Sequence, residues 1–201
     1  WILHSFIEDD SIPGFEEMTT EVELVIDGND HFHFLFSGSR DGGIDRISGL
    51  WYAFSQDGIN WAFTELETHD WPGWKFTKFP VLRIDSDNQP HVVFLYQEEF
   101  SPRLFTIRYY QHDSTGWNST DVFSQTGGAA EVNEIPHLTF DLDTNDNAHI
   151  AFQRQLNDSG NDGSLWYTTN ESGTWVDSEL VPGASWGCLL YTSDAADEKV
   201  R

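Results

Sequence analysis

The chain has 201 residues, 38% of them hydrophobic and 15% aromatic, and carries a formal net charge of −24 from 34 acids against 10 bases. Such a composition belongs to a folded globular chain, and its average field would repel nucleic acid or an anionic membrane surface. No apolar run reaches the length of about 18 residues that a membrane-crossing helix needs, and the opening Trp1-Ile-Leu-His-Ser-Phe-Ile7 does not read as a signal peptide.

Taken in chain order, the sequence repeats itself. Leu24-Val-Ile-Asp27 leads through a Gly-Asn-Asp turn to His33, Leu82-Arg-Ile-Asp85 leads to His91, and Leu138-Thr-Phe-Asp141 leads to His149. The three histidines are 58 residues apart, and the third copy is read with two extra residues in its turn. Downstream, Leu50-Trp-Tyr52, Ile107-Arg-Tyr109 and Leu165-Trp-Tyr167 correspond, and Trp61, Trp117 and Trp175 each open a fourth segment. Trp1 stands 23 residues before Leu24, close to the 21 that separate Trp61 from Leu82, so the chain is expected to open in the last strand of an earlier unit.

Alternating β-branched and aromatic residues, punctuated by Gly, Asn, Asp and Ser, predict four short strands per unit. In the middle unit they fall near Val81–Asp85, His91–Gln97, Phe105–Gln111 and Trp117–Phe123. Four strands in a repeat of this length is the pattern of a β-propeller blade. The expected fold is therefore all-β: a partial propeller over residues 1–187, with four-stranded antiparallel blades at about 20–66, 78–123 and 135–181. Further blades of the same chain would have to close it.

The turn Ser55-Gln56-Asp57-Gly58-Ile59-Asn60-Trp61 resembles the Asp-box, or BNR, repeat of sialidase-like propellers in a form one residue shorter. Thr169–Trp175 and His112–Trp117 are looser copies. The resemblance implies a propeller with this turn between the third and fourth strands of a blade. In it Asp57 accepts backbone N–H groups, Gly58 supplies an unusual dihedral and Trp61 packs into the blade. Asp27, Asp85, Asp141, His33, His91, His149, Trp117 and Trp175 are read in the same way, as structural parts of the repeat. Sialidases also use an arginine triad, a Tyr–Glu pair and an Asp. That set does not map onto this chain, whose Arg83-Ile-Asp85 does not replace the family's Arg-Ile-Pro motif.

Equal spacing puts the three histidines in three different units, whereas zinc ligands must converge to about 2 Å of the ion, so no metal site is assigned. Asp141-Leu-Asp143-Thr-Asn145-Asp146-Asn147 alternates oxygens as a calcium loop does, but lacks its glycine and its final bidentate acid. It reads as an Asx-rich hairpin, with calcium the only cofactor to consider.

Loops on a rigid scaffold are where binding residues gather. Ser37–Gly49, Gln97–Leu104, Gln153–Ser164, His69–Phe79 and Ser124–Ile135 are expected as long loops on one rim. They bring Arg40, Asp41, Glu98, Glu99, Arg103, Glu134 and Arg154 there, with His137 close by at the start of an innermost strand, and Trp71 and Trp74 as a stacking pair for sugar rings or a plug of the blade top. The expected function is binding of a carbohydrate or protein ligand through that rim, outside the cell or at its surface. The alternative is a sialidase-like glycoside hydrolase or polysaccharide lyase with part of its site in the missing blades, and a purely structural repeat is the third reading. Finally, Cys188–Glu198 resembles one reading frame of a transposase-type sequencing adaptor. It holds the only cysteine, and 188–201 is set aside as a non-native tail.

Overall fold

The computed structural model describes residues 15–42, 45–70, 75–98, 103–127, 135, 137–155 and 163–184. These form twelve strands and, among the described residues, no helix. The strands are β1 (Phe15–Ile26), β2 (Phe32–Gly42), β3 (Asp45–Ser55), β4 (Ala62–Asp70), β5 (Lys75–Ile84), β6 (Pro90–Glu98), β7 (Arg103–Asp113), β8 (Gly116–Gly127), β9 (Leu138–Leu142), β10 (Ala148–Gln155), β11 (Gly163–Thr169) and β12 (Val176–Ala184). They make three separate four-stranded sheets, β1–β4, β5–β8 and β9–β12, each pairing consecutive strands antiparallel.

The strands outrun their expected limits. The segment Ser37–Gly49, expected as a loop, is mostly ladder, paired as far as Gly42↔Asp45. Gln97 and Glu98 pair with Phe105 and Leu104, and Gln155 pairs with Gly163. Main-chain N–H and C=O groups extend a ladder whatever the side chains are, so polar ends hide strand from a hydrophobic pattern. Bulges between Lys78 and Val81 and between Met18 and Val22 further break the alternation.

The third module shifts register against the sequence reading. His33 lies opposite Val25, His91 opposite Arg83 and His149 opposite Asp141. Asp141 therefore corresponds to Val25 and Arg83, and the aspartate matching Asp27 and Asp85 is Asp143. All three turns then have one length, with a left-handed residue at the same place: Asp30 (φ 63°), Asn88 (φ 61°) and Asp146 (φ 63°). Phe140, not Leu138, matches Leu24 and Leu82. A two-residue slip leaves every side chain on its original face, so periodicity could not separate the two alignments.

Each sheet packs on the next. Leu35, Leu50, Tyr52 and Leu66 of the first bury against Leu82, Val92, Phe94 and Tyr96 of the second. Val93, Leu95, Ile107, Tyr109 and Val122 of the second bury against Phe140, Ala148, Ile150 and Phe152 of the third. Equivalent contacts recur at both interfaces. Trp117 meets Tyr52 edge-on at 5.0 Å, and Trp175 meets Tyr109 at 5.1 Å. The Gly28 amide donates to Asn88 Oδ1 at 2.9 Å, and the Ser86 amide donates to Asp146 Oδ1 at the same distance.

The register makes a test. Asp143 accepts the amides of Asn145 and Asn147 at 2.8 Å, whereas exposed Asp141 takes Arg83 Nε at 3.2 Å. Asp143→Ala is expected to lower the urea-unfolding midpoint, and Asp141→Ala to lower it less. The opposite order would refute the assigned register.

Candidate functional site

At one edge of the molecule, where β1 turns into β2 and β3 into β4, each module carries the same three-residue relay. His33 Nδ1 lies 2.7 Å from the Tyr52 hydroxyl and Nε2 lies 3.3 Å from Asp27 Oδ2. In the second module His91 sits 2.5 Å from Tyr109 and 3.0 Å from Asp85. In the third, His149 Nδ1 bonds the Tyr167 hydroxyl, with Nε2 3.5 Å from Asp143. A carboxylate can only accept, so Nε2–H of the neutral ring donates to the aspartate and Nδ1 accepts the tyrosine hydroxyl. The other carboxylate oxygen closes the turn. Asp27 Oδ1 accepts the amides of Asn29 and His31 at 2.8 Å, as Asp85 Oδ1 does those of Asp87 and Gln89.

Burial and bonding set the charges. Burial holds the His33 ring below its usual value of 6.5, against the pull of Asp27. Burial pushes the Asp27 carboxyl up, but the amides of His31 and Asn29 and the His33 ring outweigh it and keep it below 3.8. Burial also raises the hydroxyls of Tyr52 and Tyr109. In the first module the relay is thus a carboxylate, a neutral imidazole and a neutral phenol, whereas in the third His149 Nε2 is left without a hydrogen-bond partner.

The Ser55–Trp61 turn is equally self-contained. Asp57 Oδ1 accepts the amides of Ile59 and Asn60 at 2.8 and 2.7 Å, and Oδ2 accepts Asn60 Nδ2 at 2.7 Å. Those bonds, the Asn60 amide first, hold its carboxyl far below the usual range. Gly58, at φ +71°, lets the turn lie on the Phe32 ring, and Trp61 tilts against the same ring at 6.3 Å.

Between the first two modules, directly above the His33 relay, a cleft of about 390 Å³ opens. Its aromatic and apolar wall is Trp117, Phe54, Ala62 and Pro90. Its polar wall is Asn29, His31, Thr64, Asp87, Asn88, Gln89 and His112. Two bonds organise it: His112 Nδ1 with Gln89 Oε1 at 3.0 Å, and Asn88 holding the Gly28 amide. The cleft offers hydrogen-bonding carboxylate, amide, hydroxyl and imidazole groups beside an indole.

The rim expected from sequence lies at the opposite edge. Arg40 and Asp41 end β2, paired with Ile47 and Arg46. Glu98 ends β6 and accepts the Tyr96 hydroxyl, and Arg103 opens β7 opposite Gly127. Arg154 lies over the rings of Phe123 and Trp166 at 5.9 and 5.5 Å. His137 is exposed beside Phe79, ring centres 5.8 Å apart. Trp71, Trp74, Glu99 and Glu134 lie outside the described residues. Close by, Glu67 takes Arg108 Nη1 at 2.7 Å and the Tyr110 hydroxyl at 3.0 Å, and burial pushes Tyr110 up to about 12.

Sequence reasoning found the histidines and tryptophans but gave no role to Tyr52, Tyr109 or Tyr167, although they follow the histidines by 19, 18 and 18 residues. The cleft residues gave no signal, because they come from turns about sixty residues apart. In the Asx-rich hairpin, Asp143 oxygens are spent on turn amides and on Asn147 Nδ2. No group of three or more His, Cys, Asp or Glu among the described residues could hold a metal ion.

The relay predicts a pH dependence. His33 titrates at 6.5 when unfolded and lower when folded, so the unfolded chain binds more protons as pH drops through 6.5. Asp27 adds a second loss as pH falls through 3.8. The thermal midpoint is expected to fall between pH 7 and 5, and to fall less steeply in His33→Gln. A midpoint flat across that interval would contradict the neutral buried ring. Compared with family models and with curated proteins, the chain matches none.

Proposed function

We propose that the three sheets are consecutive blades of a β-propeller of the Asp-box type, and that the protein binds a carbohydrate in the cleft between the first two. The blade reading is supported by the interface geometry: successive modules repeat the same turn-to-turn bond and the same Trp–Tyr contact, as stacking about a common axis requires. The Ser55–Trp61 turn sits between the third and fourth strands, where Asp-box propellers carry theirs. An acidic exterior suits work outside the cell or at its surface.

The binding reading rests on one observation, the cleft that Trp117 lines together with Asp87, Asn29 and Gln89. Sugars present C–H faces to aromatic rings and pairs of hydroxyls to planar amides and carboxylates. Hydrolysis of a glycosidic bond takes two carboxyl groups flanking it. Here Asp27 is already held by two amides and His33, which leaves Asp87 as the carboxylate available to a ligand. Binding without turnover is the reading this favours.

A glycan array followed by calorimetry tests it. Wild type is expected to bind neutral oligosaccharides. Asp87→Ala should weaken binding by about tenfold or more, the loss of one charge-assisted hydrogen bond, and Ala62→Trp should abolish it by filling the cleft. Both positions are exposed, so both variants should keep the wild-type melting temperature. Binding unchanged by Ala62→Trp would place any sugar site elsewhere, and silence across the array would end the reading.

A further inference from the structure

The cleft has a neighbour. We infer that a second sugar subsite lies over the turns of the second module, and that the ligand is a linear glycan without acidic groups, long enough to run from the cleft across Asp87 into that subsite. This rests on the carbohydrate reading and adds to it the length and the charge of what is bound.

A hollow of about 510 Å³ opens beside the β5–β6 and β7–β8 turns. It is lined by Asp85, Gln111, Asp113 and Ser114, and by three residues that also line the cleft, Asp87, Gln89 and His112. Both volumes fall within the range of about 300–1,000 Å³ over which small-molecule sites lie. The hollow repeats one wall of the cleft a module further on. His33 pairs with Phe54 and His91 with Gln111, so Gln111 holds the place of Phe54. In the same register Asp85, Asp87 and Gln89 hold the places of Asp27, Asn29 and His31, all of which line the cleft. At the next interface Trp175 meets Tyr109 edge-on at 5.1 Å, as Trp117 meets Tyr52 in the cleft at 5.0 Å.

The shared residues join the two hollows. His112 Nδ1 lies 3.0 Å from Gln89 Oε1, and its ring stands edge-on to Trp117 at 5.3 Å. Asp87 spends its amide on Asp85 Oδ1 at 2.9 Å, and the residue is exposed. Its carboxylate therefore serves both sides. A ligand that bonds Asp87 from the cleft reaches the second hollow with its next unit, which is what a chain of sugars supplies and a single ring does not.

The linings say what kind of chain. Gln111 in place of Phe54 exchanges a ring for an amide, and Asp113 and Ser114 add a carboxylate and a hydroxyl. The second subsite thus takes sugar hydroxyls, where the cleft also takes a C–H face. Neither lining contains Lys or Arg, whereas Asp27, Asp85, Asp87 and Asp113 all contribute carboxylates. Like charges repel in such a place, so uronate, sialylated and sulfated chains are disfavoured.

Calorimetry with three neutral linear series, cello-, malto- and N-acetylchito-oligosaccharides from disaccharide to hexasaccharide, reads the length. In the series that binds, affinity is expected to rise by about tenfold or more with length and then level off. Gln111→Trp should hold the longer oligomers at the disaccharide affinity, whereas Ala62→Trp should remove binding at every length. A second readout needs no variant: in NMR titrations the Asp113 and Ser114 amides should shift with the hexasaccharide and stay in place with the disaccharide. Affinity independent of length, or Asp113 and Ser114 amides that never move, would overturn the second subsite and leave the cleft standing. Oligogalacturonides bound as tightly as the neutral chains would overturn the charge assignment, and oligolysine bound more tightly than any glycan would give the site to a basic peptide instead. Silence from all three series while other neutral glycans bind would overturn the linear ligand, whereas silence from every glycan would end the carbohydrate reading itself.

Discussion

An imidazole held between a phenol and a carboxylate is the tie on which each sheet depends. His33 joins β2 to β3 through Tyr52, and to the end of β1 through Asp27, which also holds two amides of the intervening turn. Five backbone and side-chain groups are satisfied around one carboxylate and one ring, both largely buried. An unpaired polar group there would cost about 1–3 kcal/mol, so the residues stand or fall as a set. The set recurs in all three modules, although in the third His149 is more open, its side chain 26% exposed, at the uncovered end.

Fixing the turn fixes the neighbour. A turn with a left-handed residue at the position of Asp30, Asn88 or Asp146 aims that side chain sideways rather than outward, and in two cases it caps the adjacent turn. Modules that bond turn to turn and set Trp edge-on to Tyr are held at one spacing, and the cleft beside Trp117 is the gap left where two such turns diverge. The site is therefore a product of the repeat: its floor is the relay of one module and its walls belong to two.

Much of this was legible in the sequence. The histidines, the tryptophans and the Leu–x–Tyr segments set the number of units and of strands per unit, because aromatic and buried polar positions recur only where the packing does. Polar ladder ends were not legible, which is why the pattern of Ser37–Gly49 reads as a loop. Nor was the choice between Asp141 and Asp143, since strands repeat every two residues and both alignments keep Phe140 facing inward; only the turn bonds decide it. The cleft was invisible for a different reason. Asn29, Thr64, Asp87 and His112 are unremarkable where they stand, and become a site only when two turns separated by a full repeat come together.

Contacts between sheets run from each module to its successor, and this has a kinetic meaning. A chain built so needs no pairing between its distant ends to begin folding: each antiparallel meander can form from local hairpins and then template the next, as in linear repeat arrays. Among the described residues, the second module is the one flanked on both sides. Duplication of one unit could then lengthen the array without re-solving its core, since every new unit brings the surface that the last one lacked.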